Sequence, residues 1–286
     1  MKAFQAEFHV TTMLRVFDVN SSSYYAWLRR DTSQRRLQDI LLLAVIRKLH
    51  LNSHGTYGAL RIHAELKPLG WRVGKKRVAR LMAEAGIVGI TRRRYNPTTV
   101  RNKKERPAPD LVDRKFQASG PNELWVADIT EIPTQSTKLY LATVLDVWSR
   151  RIVGFAMDTH MESTLAQRAL TEALQARGAS CVIHHSDQGS QYTAADFKEL
   201  AKDSGVQLSM GSVGDCYDNA MAESFFATLE CELLALKTFA GPKEAQVAVF
   251  DFIAAFYNIT RRHSSIGYHT PAEFEALHAD KQRRAA

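Results

Sequence analysis

The stretch that decides the fold lies in two parts, HHSDQGSQYT at 184–193 and GDCYDNAMAESFFATLE at 214–230. Asp187 follows a short apolar run, which predicts a strand that ends in a Gly- and Ser-rich loop. Glu223 lies in a predicted helix, whose apolar stripe recurs every four residues at Met221, Phe225, Leu229 and Leu233. Carboxylates on a strand end and on a helix are rigidly held oxygen ligands, which hard divalent cations prefer.

A third carboxylate stands upstream in LWVADITEIP, where Asp128 occupies the middle of a strand-like run. Its apolar neighbours favour burial over a solvent-facing position on an edge strand. We hypothesise that Asp128, Asp187 and Glu223 form one metal-binding cluster. Taken singly, Asp187 is also typical of a turn former and Glu223 of a solvated helix face. Asp146, at the end of another strand, is expected to stabilise the turn that follows it.

Length and composition are those of a two-domain globular protein. The 286 residues are 45% hydrophobic and 24% charged. No apolar run approaches the roughly 20 residues that span a bilayer, and the N-terminus lacks the apolar core of a signal peptide. Three cysteines without CxxC spacing indicate neither a disulfide framework nor a zinc site. We expect a cytoplasmic protein with no membrane partner, associated with the nucleoid when bound to DNA.

The charge is divided unevenly along the chain. Residues 1–110 carry 22 Lys and Arg against 8 Asp and Glu, whereas residues 111–286 carry 16 against 22. A basic first part joined to an acidic second part predicts a polyanionic partner held mainly by the first part. A solvated basic surface is the alternative.

Two helix-turn-helix units are predicted in this basic part, which would form an all-α DNA-binding region. Residues 1–35 are predicted to form two short helices, and 36–92 a second unit with helices over 37–50, 58–67 and 74–85. The last of these helices carries the basic face that best suits DNA: Lys75, Lys76, Arg77 and Arg80. A membrane-surface or calmodulin-binding helix is the alternative.

A basic, proline-containing linker is predicted over 93–120, at the domain boundary. In extended form it suits contact with a phosphate backbone, through Arg92, Arg93, Arg94, Lys103 and Lys104.

Residues 121–260 have the pattern of an α/β domain. The predicted order is three strands (124–132, 139–147, 152–157), helix 163–176, strand 181–185, helix 193–203, strand 206–209, the Glu223 helix and helix 242–257. This order matches an RNase H-like catalytic core, a mixed sheet with helices on both faces.

Further DNA contacts are predicted near the acids and in a basic C-terminal tail over 261–286. Gln188 and Asn219 flank two of the acids, although Asn219 also suits a helix cap. The segment YNITRRHSSIGYHTP groups Arg, His and aromatic side chains that suit backbone contact and base stacking: Tyr257, Arg261, Arg262 and His263. A polar extension packed on the core is the alternative.

Seven motifs follow one another along the chain: YGALRI, GKKRVARLMAEAGIVG, ELWVADIT, LDVWSRRIVGF, HSDQGSQYT, CYDNAMAESFFATLE and YNITRRHSSIGYHTPAEFE. As a set they resemble the DDE catalytic protein of IS-three insertion sequences, whose core is similar to that of retroviral integrases. The 35 residues between Asp187 and Glu223 are the spacing of this family.

The resemblance implies a transposase whose catalytic and metal-binding triad is Asp128, Asp187 and Glu223. It implies two Mg²⁺ ions per active site, with Mn²⁺ as a substitute, and strand cleavage that exposes a 3′-OH for strand transfer. The implied partners are double-stranded DNA, as terminal inverted repeats and as target, and further copies of this chain in a dimer or larger synaptic complex. The DNA-binding protein of the upstream reading frame is a further implied partner.

Two positions depart from the family. Many members carry Lys or Arg seven residues after the catalytic Glu, whereas this chain has Glu230, which shares a helix face with Glu223. The loop 211–214 lacks the basic residues often found before CYDNA. Two alternative functions stay open: a DNA-binding regulator with an inactive core, and an RNase H-like nuclease without strand transfer.

Overall fold

A computed structural model describes residues 2–90, 108–112, 116–179, 181–211 and 220–285 of the protein. Six of the predicted DNA contacts lie outside these residues: Arg92, Arg93, Arg94, Lys103, Lys104 and Asn219. Within the described ranges, no helix is both long enough and apolar enough to cross a membrane.

The N-terminal part is helical, as predicted. Two short helices, α1 (Val10–Val16) and α2 (Ser21–Leu28), come first, and the side chain of Asn20 caps α2 by accepting from the backbone N–H of Ser22 at 2.9 Å. Three further helices follow, α3 (Gln34–Asn52), α4 (Ala59–Leu66) and α5 (Lys75–Glu84). They bury a common apolar core of Leu42, Ile46, Ile62, Leu66, Val78 and Leu81.

One five-stranded mixed sheet organises the second part. Strands β1 (Leu124–Ile132), β2 (Leu139–Asp146) and β3 (Ile152–Asp158) form an antiparallel meander. Strands β4 (Ile183–Ser186) and β5 (Gln207–Met210) run parallel to β1, and the strand order is β3-β2-β1-β4-β5. This confirms the predicted mixed sheet of an RNase H-like core.

Helices cover both faces of the sheet because alternate residues of each strand point to opposite sides. Trp125 and Ala127 pack with the side that carries α6 (Ser163–Arg177), α7 (Ser190–Thr193) and α8 (Ala195–Asp203). The predicted helix over 193–203 corresponds to α8, and the short helix α7 before it was not predicted.

The opposite face of the sheet is covered by α9 (Ala220–Glu232) and α10 (Pro242–Asp251), which continues as a π-helical segment, Phe252–Tyr257. Phe225 and Leu229 of α9 pack against Leu124 and Val126 of β1. Burying side chains of this size contributes about 1.5–3 kcal/mol each. The helix that carries Glu223 is therefore fixed to the central strand.

The C-terminal segment contains a helix that the sequence prediction missed. Helix α11 (Pro271–Ala285) starts with a capping box, in which Thr270 and Glu273 exchange backbone-to-side-chain hydrogen bonds of 3.1 Å. The sequence signal, Thr-Pro-Ala-Glu with proline at the first helical position, was present. Trp148 packs on Phe274, with ring centroids 4.9 Å apart, so α11 lies on the core. The predicted domain boundaries stay predictions.

Candidate active site

Asp128 and Asp187 are placed by the pairing of two parallel strands. Val126 of β1 pairs with His185 of β4, and continuing this register by two residues brings Asp187 beside Asp128. By alternation Asp128 lies on the same face of the sheet as Val126 and Ile132, which is the face that α9 covers. Two of the three predicted acids therefore meet where β4 ends.

The loop after β4 holds the Asp187 carboxylate in place. The backbone N–H of Gly189 donates to Asp187 Oδ1 at 3.0 Å. A Cβ at position 189 would lie only 2.9 Å from that oxygen, so any other residue there would displace the carboxylate. The amide of Gln188, a predicted DNA contact, donates instead to the carbonyl of Gly211 at 2.9 Å and ties the loop to the end of β5.

Glu223 lies in the first turn of α9, with an exposed side chain. Its neighbours Ala222 and Phe225 are buried, and its charge is close enough to Asp128 to raise the pKa of that residue. Glu230 is exposed two turns further along the same helix.

The electrostatics connect the three acids. Burial, followed by the charge of Asp187, raises the pKa of Asp128 to about 8, and the charge of Glu223 adds to this rise. One backbone hydrogen bond, from Ile129 at 2.7 Å, opposes it. Burial also raises the pKa of Asp187, and the loss of part of its surrounding water raises the pKa of the otherwise exposed Glu223. The charges of Asp187 and Glu223 thus both act on Asp128.

The chemistry of these donors fits a divalent cation. Within the described ranges, no Lys, Arg or His forms an ion pair with Asp128, Asp187 or Glu223, so no basic side chain of this part of the chain offsets their charge. Carboxylate oxygens are the ligands that Mg²⁺ takes. The described residues do not, however, contain three or more His, Cys, Asp or Glu gathered tightly enough to hold a metal.

A group of buried polar atoms behind the acids was missed by the sequence analysis. Trp125 pairs with His184 across β1 and β4, and the His184 ring lies against Tyr192 with centroids 5.9 Å apart. Trp125 Nε1, His184 Nδ1 and the Tyr192 hydroxyl are buried without a hydrogen-bond partner among the described residues. Burial and the charges of Asp128 and Asp187 raise the pKa of Tyr192 well above its ordinary value. The three residues lie in two motifs that are separated along the chain, and strand pairing brings them together.

Asp146 has the structural role that was predicted for it. Its fully buried carboxylate accepts from the backbone N–H of Ser149 at 2.8 Å and from that of Asn122 at 2.7 Å. It therefore closes the turn between β2 and β3.

The predicted DNA-reading helix α5 is only partly available. Lys75 and Lys76 are exposed at its first turn. Arg77 and Arg80 both bind Asp39 of α3 at 2.7 Å, and Arg80 also binds Glu84 at 2.8 Å. Lys75 and Lys76 are thus the basic side chains of this face that are open to a ligand.

The C-terminal residues predicted to contact DNA are instead packed inside the protein. Tyr257, Arg261 and His263 are buried, and Arg261 binds Glu232 through two hydrogen bonds. Arg262 binds Glu65 in the same two-pronged way. These groups correct the DNA-contact prediction and agree with the alternative of an extension packed on the core. The reason is that Glu232 and Glu65 lie opposite these arginines in the folded protein, and no local pattern marks either carboxylate as a partner.

The sequence matches three family profiles. Residues 118–216 and 204–271 each match a profile described as an integrase core domain, and residues 36–95 match an HTH-like domain. The fold and these matches define a polynucleotidyl transferase of the integrase-core class with a DNA-binding helix-turn-helix region.

Curated relatives cover nearly the whole chain. The chain is 36% identical to the transposase InsF for insertion sequence IS3A of Escherichia coli (strain K12) over 278 residues, which are 95% of each protein. It is 40% identical over 263 residues to the insertion element IS600 uncharacterized 31 kDa protein of Shigella sonnei, which covers 92% of this chain and 97% of that protein. The chain belongs to the IS3 family of insertion-sequence transposases.

Among solved structures, a chain of the simian T-cell lymphotropic virus intasome in complex with the PP2A regulatory subunit B56 gamma is similar at 15% identity and a TM-score of 0.45. The match covers 80% of this chain and 74% of that chain.

Proposed function

We propose that Asp128, Asp187 and Glu223 are the catalytic triad of this transposase and that they hold its divalent metal, two Mg²⁺ ions. The single observation that carries this is the environment of Asp128, where burial first, and then the charges of Asp187 and Glu223, raise the pKa to about 8. A buried group of like charges is costly unless a cation offsets it. Functional carboxylates are commonly perturbed in this way.

Each acid would present its oxygens from a different rigid support. Asp128 is held within β1, Asp187 by the Gly189 turn and Glu223 by the packed helix α9. When bound, Mg²⁺ neutralises charge on the phosphate and lowers the pKa of the attacking water or 3′-OH. The protein's own groups would orient the strand and hold the three carboxylates at fixed positions.

The DNA substrate would be the terminal inverted repeats of the element, held by the basic N-terminal part. Residues 1–110 carry an excess of 14 basic over acidic residues, which suits a long contact with phosphates. Joining one end to another DNA requires that two sites are held together, so we also propose a homo-oligomer on DNA.

Labelled inverted-repeat DNA with Mg²⁺ tests the proposal. Wild-type protein is expected to nick one strand at the element end and to join the new 3′-OH to DNA. Glu223→Gln is expected to bind the DNA equally well and to nick at least about 1,000-fold more slowly, since a lost charge at the reacting centre costs several kcal/mol. Glu230→Gln removes an exposed carboxylate from the same helix and is the matched control.

The outcomes separate the functions. Nicking without joining by the wild type would indicate a nuclease, and binding without nicking would indicate a regulator with an inactive core. If Glu223→Gln joined DNA as well as the wild type, the proposed triad would be wrong.

A further inference from the structure

The C-terminal end of α9, the helix that carries Glu223, forms an ion pair with the helix-turn-helix region. Glu232, nine residues after Glu223 on α9, accepts from Arg61 of α4 at 3.2 Å. Arg261 binds the same carboxylate from the core side, at 2.8 and 2.7 Å. The Glu232 and Arg261 side chains are only 7% and 4% exposed, so this contact is shielded from solvent.

A second charged contact lies one helical turn further along α4. Arg262 binds the carboxylate of Glu65 at 2.7 and 3.2 Å. The hydroxyl of Tyr57 accepts from the backbone N–H of Arg262 at 2.9 Å and donates to the carbonyl of Thr260 at 3.3 Å. Arg61 and Glu65 thus turn one face of α4 toward the core.

Rigid elements connect this junction to both functional surfaces. On one side α4 packs on α5 through Ile62, Leu66 and Val78, and α5 carries the exposed Lys75 and Lys76. On the other side α9 carries Glu223 and is fixed to the sheet. A ring contact between His54 and Phe256, with centroids 5.1 Å apart, adds an apolar point to the same junction.

These ion pairs fix the position of α4 relative to the core more than they stabilise the fold. Buried ion pairs contribute little net free energy compared with apolar packing, but their directional hydrogen bonds select one arrangement. The bidentate pair of Arg262 with Glu65, together with the contact of Arg61 with Glu232, allows α4 one position on the core.

We propose that the contacts of Arg61 and Glu65 with Glu232 and Arg262 fix the distance from the DNA-reading helix α5 to the acid site. This distance determines how many nucleotides separate the bound repeat sequence from the phosphate that is cut. The proposal rests on the function proposed above and adds specificity-determining residues to it.

The test is the double variant Arg61→Met/Glu65→Gln in the full chain. Glu232 keeps Arg261, and Arg262 keeps Glu273 at 3.1 Å and the carbonyl of Tyr268 at 2.9 Å, so no buried charge loses every partner. The matched control is Arg168→Met/Asp158→Asn, which makes the same two kinds of change. It removes a solvent-exposed ion pair, with an N–O distance of 2.8 Å, that lies entirely in the integrase-core part of the chain.

Cut positions are mapped to the nucleotide on labelled repeat DNA. The wild type and the control are expected to cut at one phosphate. The double variant is expected to spread its cuts over neighbouring phosphates, with the main product reduced at least about twofold, because small misplacements at a reacting centre change rates strongly. Its affinity for repeat DNA is expected to stay within about twofold of wild type, since the exposed face of α5 is unchanged.

Solution X-ray scattering of the free protein supplies a readout without activity. The double variant is expected to have a larger radius of gyration than the wild type and the control. Cutting at the wild-type phosphate alone, or an unchanged radius of gyration, would overturn the proposal. If the wild type made no cut at all, the proposed function would fail instead, and scattering would then decide whether the junction is rigid.

Discussion

Arg261 and Glu232 form a bidentate ion pair in the interior of the protein, with N–O distances of 2.8 and 2.7 Å. The pair joins the segment after the last core helix to the end of α9. Arg61 approaches the same carboxylate from the helix-turn-helix region at 3.2 Å. The positive charge of Arg261 is therefore used in a contact inside the protein.

Replacing Arg261 with Met is expected to destabilise the protein by about 3 kcal/mol, because a buried carboxylate keeps only the more exposed Arg61 as partner. Denaturant unfolding measures this loss. The control, Lys138→Met, removes an exposed pair with Glu131 and is expected to cost less than about 1 kcal/mol. Equal losses of unfolding free energy in the two variants would show that the pair of Arg261 with Glu232 contributes no more than an exposed ion pair.

Asp128→Asn is expected to stabilise the metal-free protein at neutral and basic pH. The folded-state pKa of Asp128 is about 8, against an ordinary value of 3.8, so the folded protein keeps a proton that the unfolded chain has lost. The free energy of unfolding of the wild type therefore falls as pH rises from about 4 to about 8. The variant does not lose this free energy, because it has no carboxyl group at this position. We expect its Tm to exceed that of wild type by at least about 2 °C at pH 8.

The difference in Tm should shrink toward pH 4, where wild-type Asp128 is protonated in both states. Adding Mg²⁺ should raise the Tm of wild type more than that of the variant. Asp196→Asn serves as control, because the hydroxyl of Ser163 lowers the pKa of Asp196, and no gain in Tm is expected. A Tm difference that is independent of pH would contradict the assignment of Asp128.

Gly189→Ala is expected to reduce DNA nicking by about 10- to 100-fold, because its Cβ would displace the Asp187 carboxylate. The control is Gly178→Ala, at a helix end with φ +56° and open space around it. That variant should lose about 1 kcal/mol of stability and keep its activity. Nicking assays well below both melting temperatures, with unfolding curves beside them, distinguish the two effects; full activity in Gly189→Ala would count against Asp187.

Tyr192→Phe is expected to leave stability unchanged or to raise it, since the lost hydroxyl has no partner among the described residues. Tyr57→Phe provides the contrast, because its hydroxyl binds Arg262 and Thr260 and its loss should cost about 0.5–1.5 kcal/mol. Urea unfolding measures both. A larger loss in Tyr192→Phe than in Tyr57→Phe would mean that the Tyr192 hydroxyl is satisfied in solution.

The double variant Lys75→Ala/Lys76→Ala is expected to weaken binding to repeat DNA and to reduce the slope of log K against log salt by about 2, one for each lost phosphate contact. Binding titrations at several salt concentrations measure this. Lys138→Ala/Lys202→Ala removes two exposed lysines from the acidic part of the chain and is the control. An unchanged salt slope in the first variant would exclude α5 as the main phosphate contact.

Local patterns predicted the elements of this protein well. Strand β1 and helices α4 and α5 lie within a residue of their predicted bounds, since apolar periodicity records which face of each element is buried. The Thr-Pro-Ala-Glu signal predicts the capped helix α11, but the basic residues of the tail favoured a prediction of DNA contact.

The sequence by itself determined the order of the strands and of the helices other than α7 and α11, the division of charge and the three candidate acids, because each of these is carried by neighbouring residues. Only the tertiary structure decided that Asp128 and Asp187 meet across parallel strands, and that Arg261 and Arg262 face Glu232 and Glu65. A charged side chain is compatible with a phosphate or with a carboxylate, and its own neighbours in sequence do not choose between them. The partner is brought from 29 residues away for Arg261 and from 197 residues away for Arg262, so folding alone makes that choice.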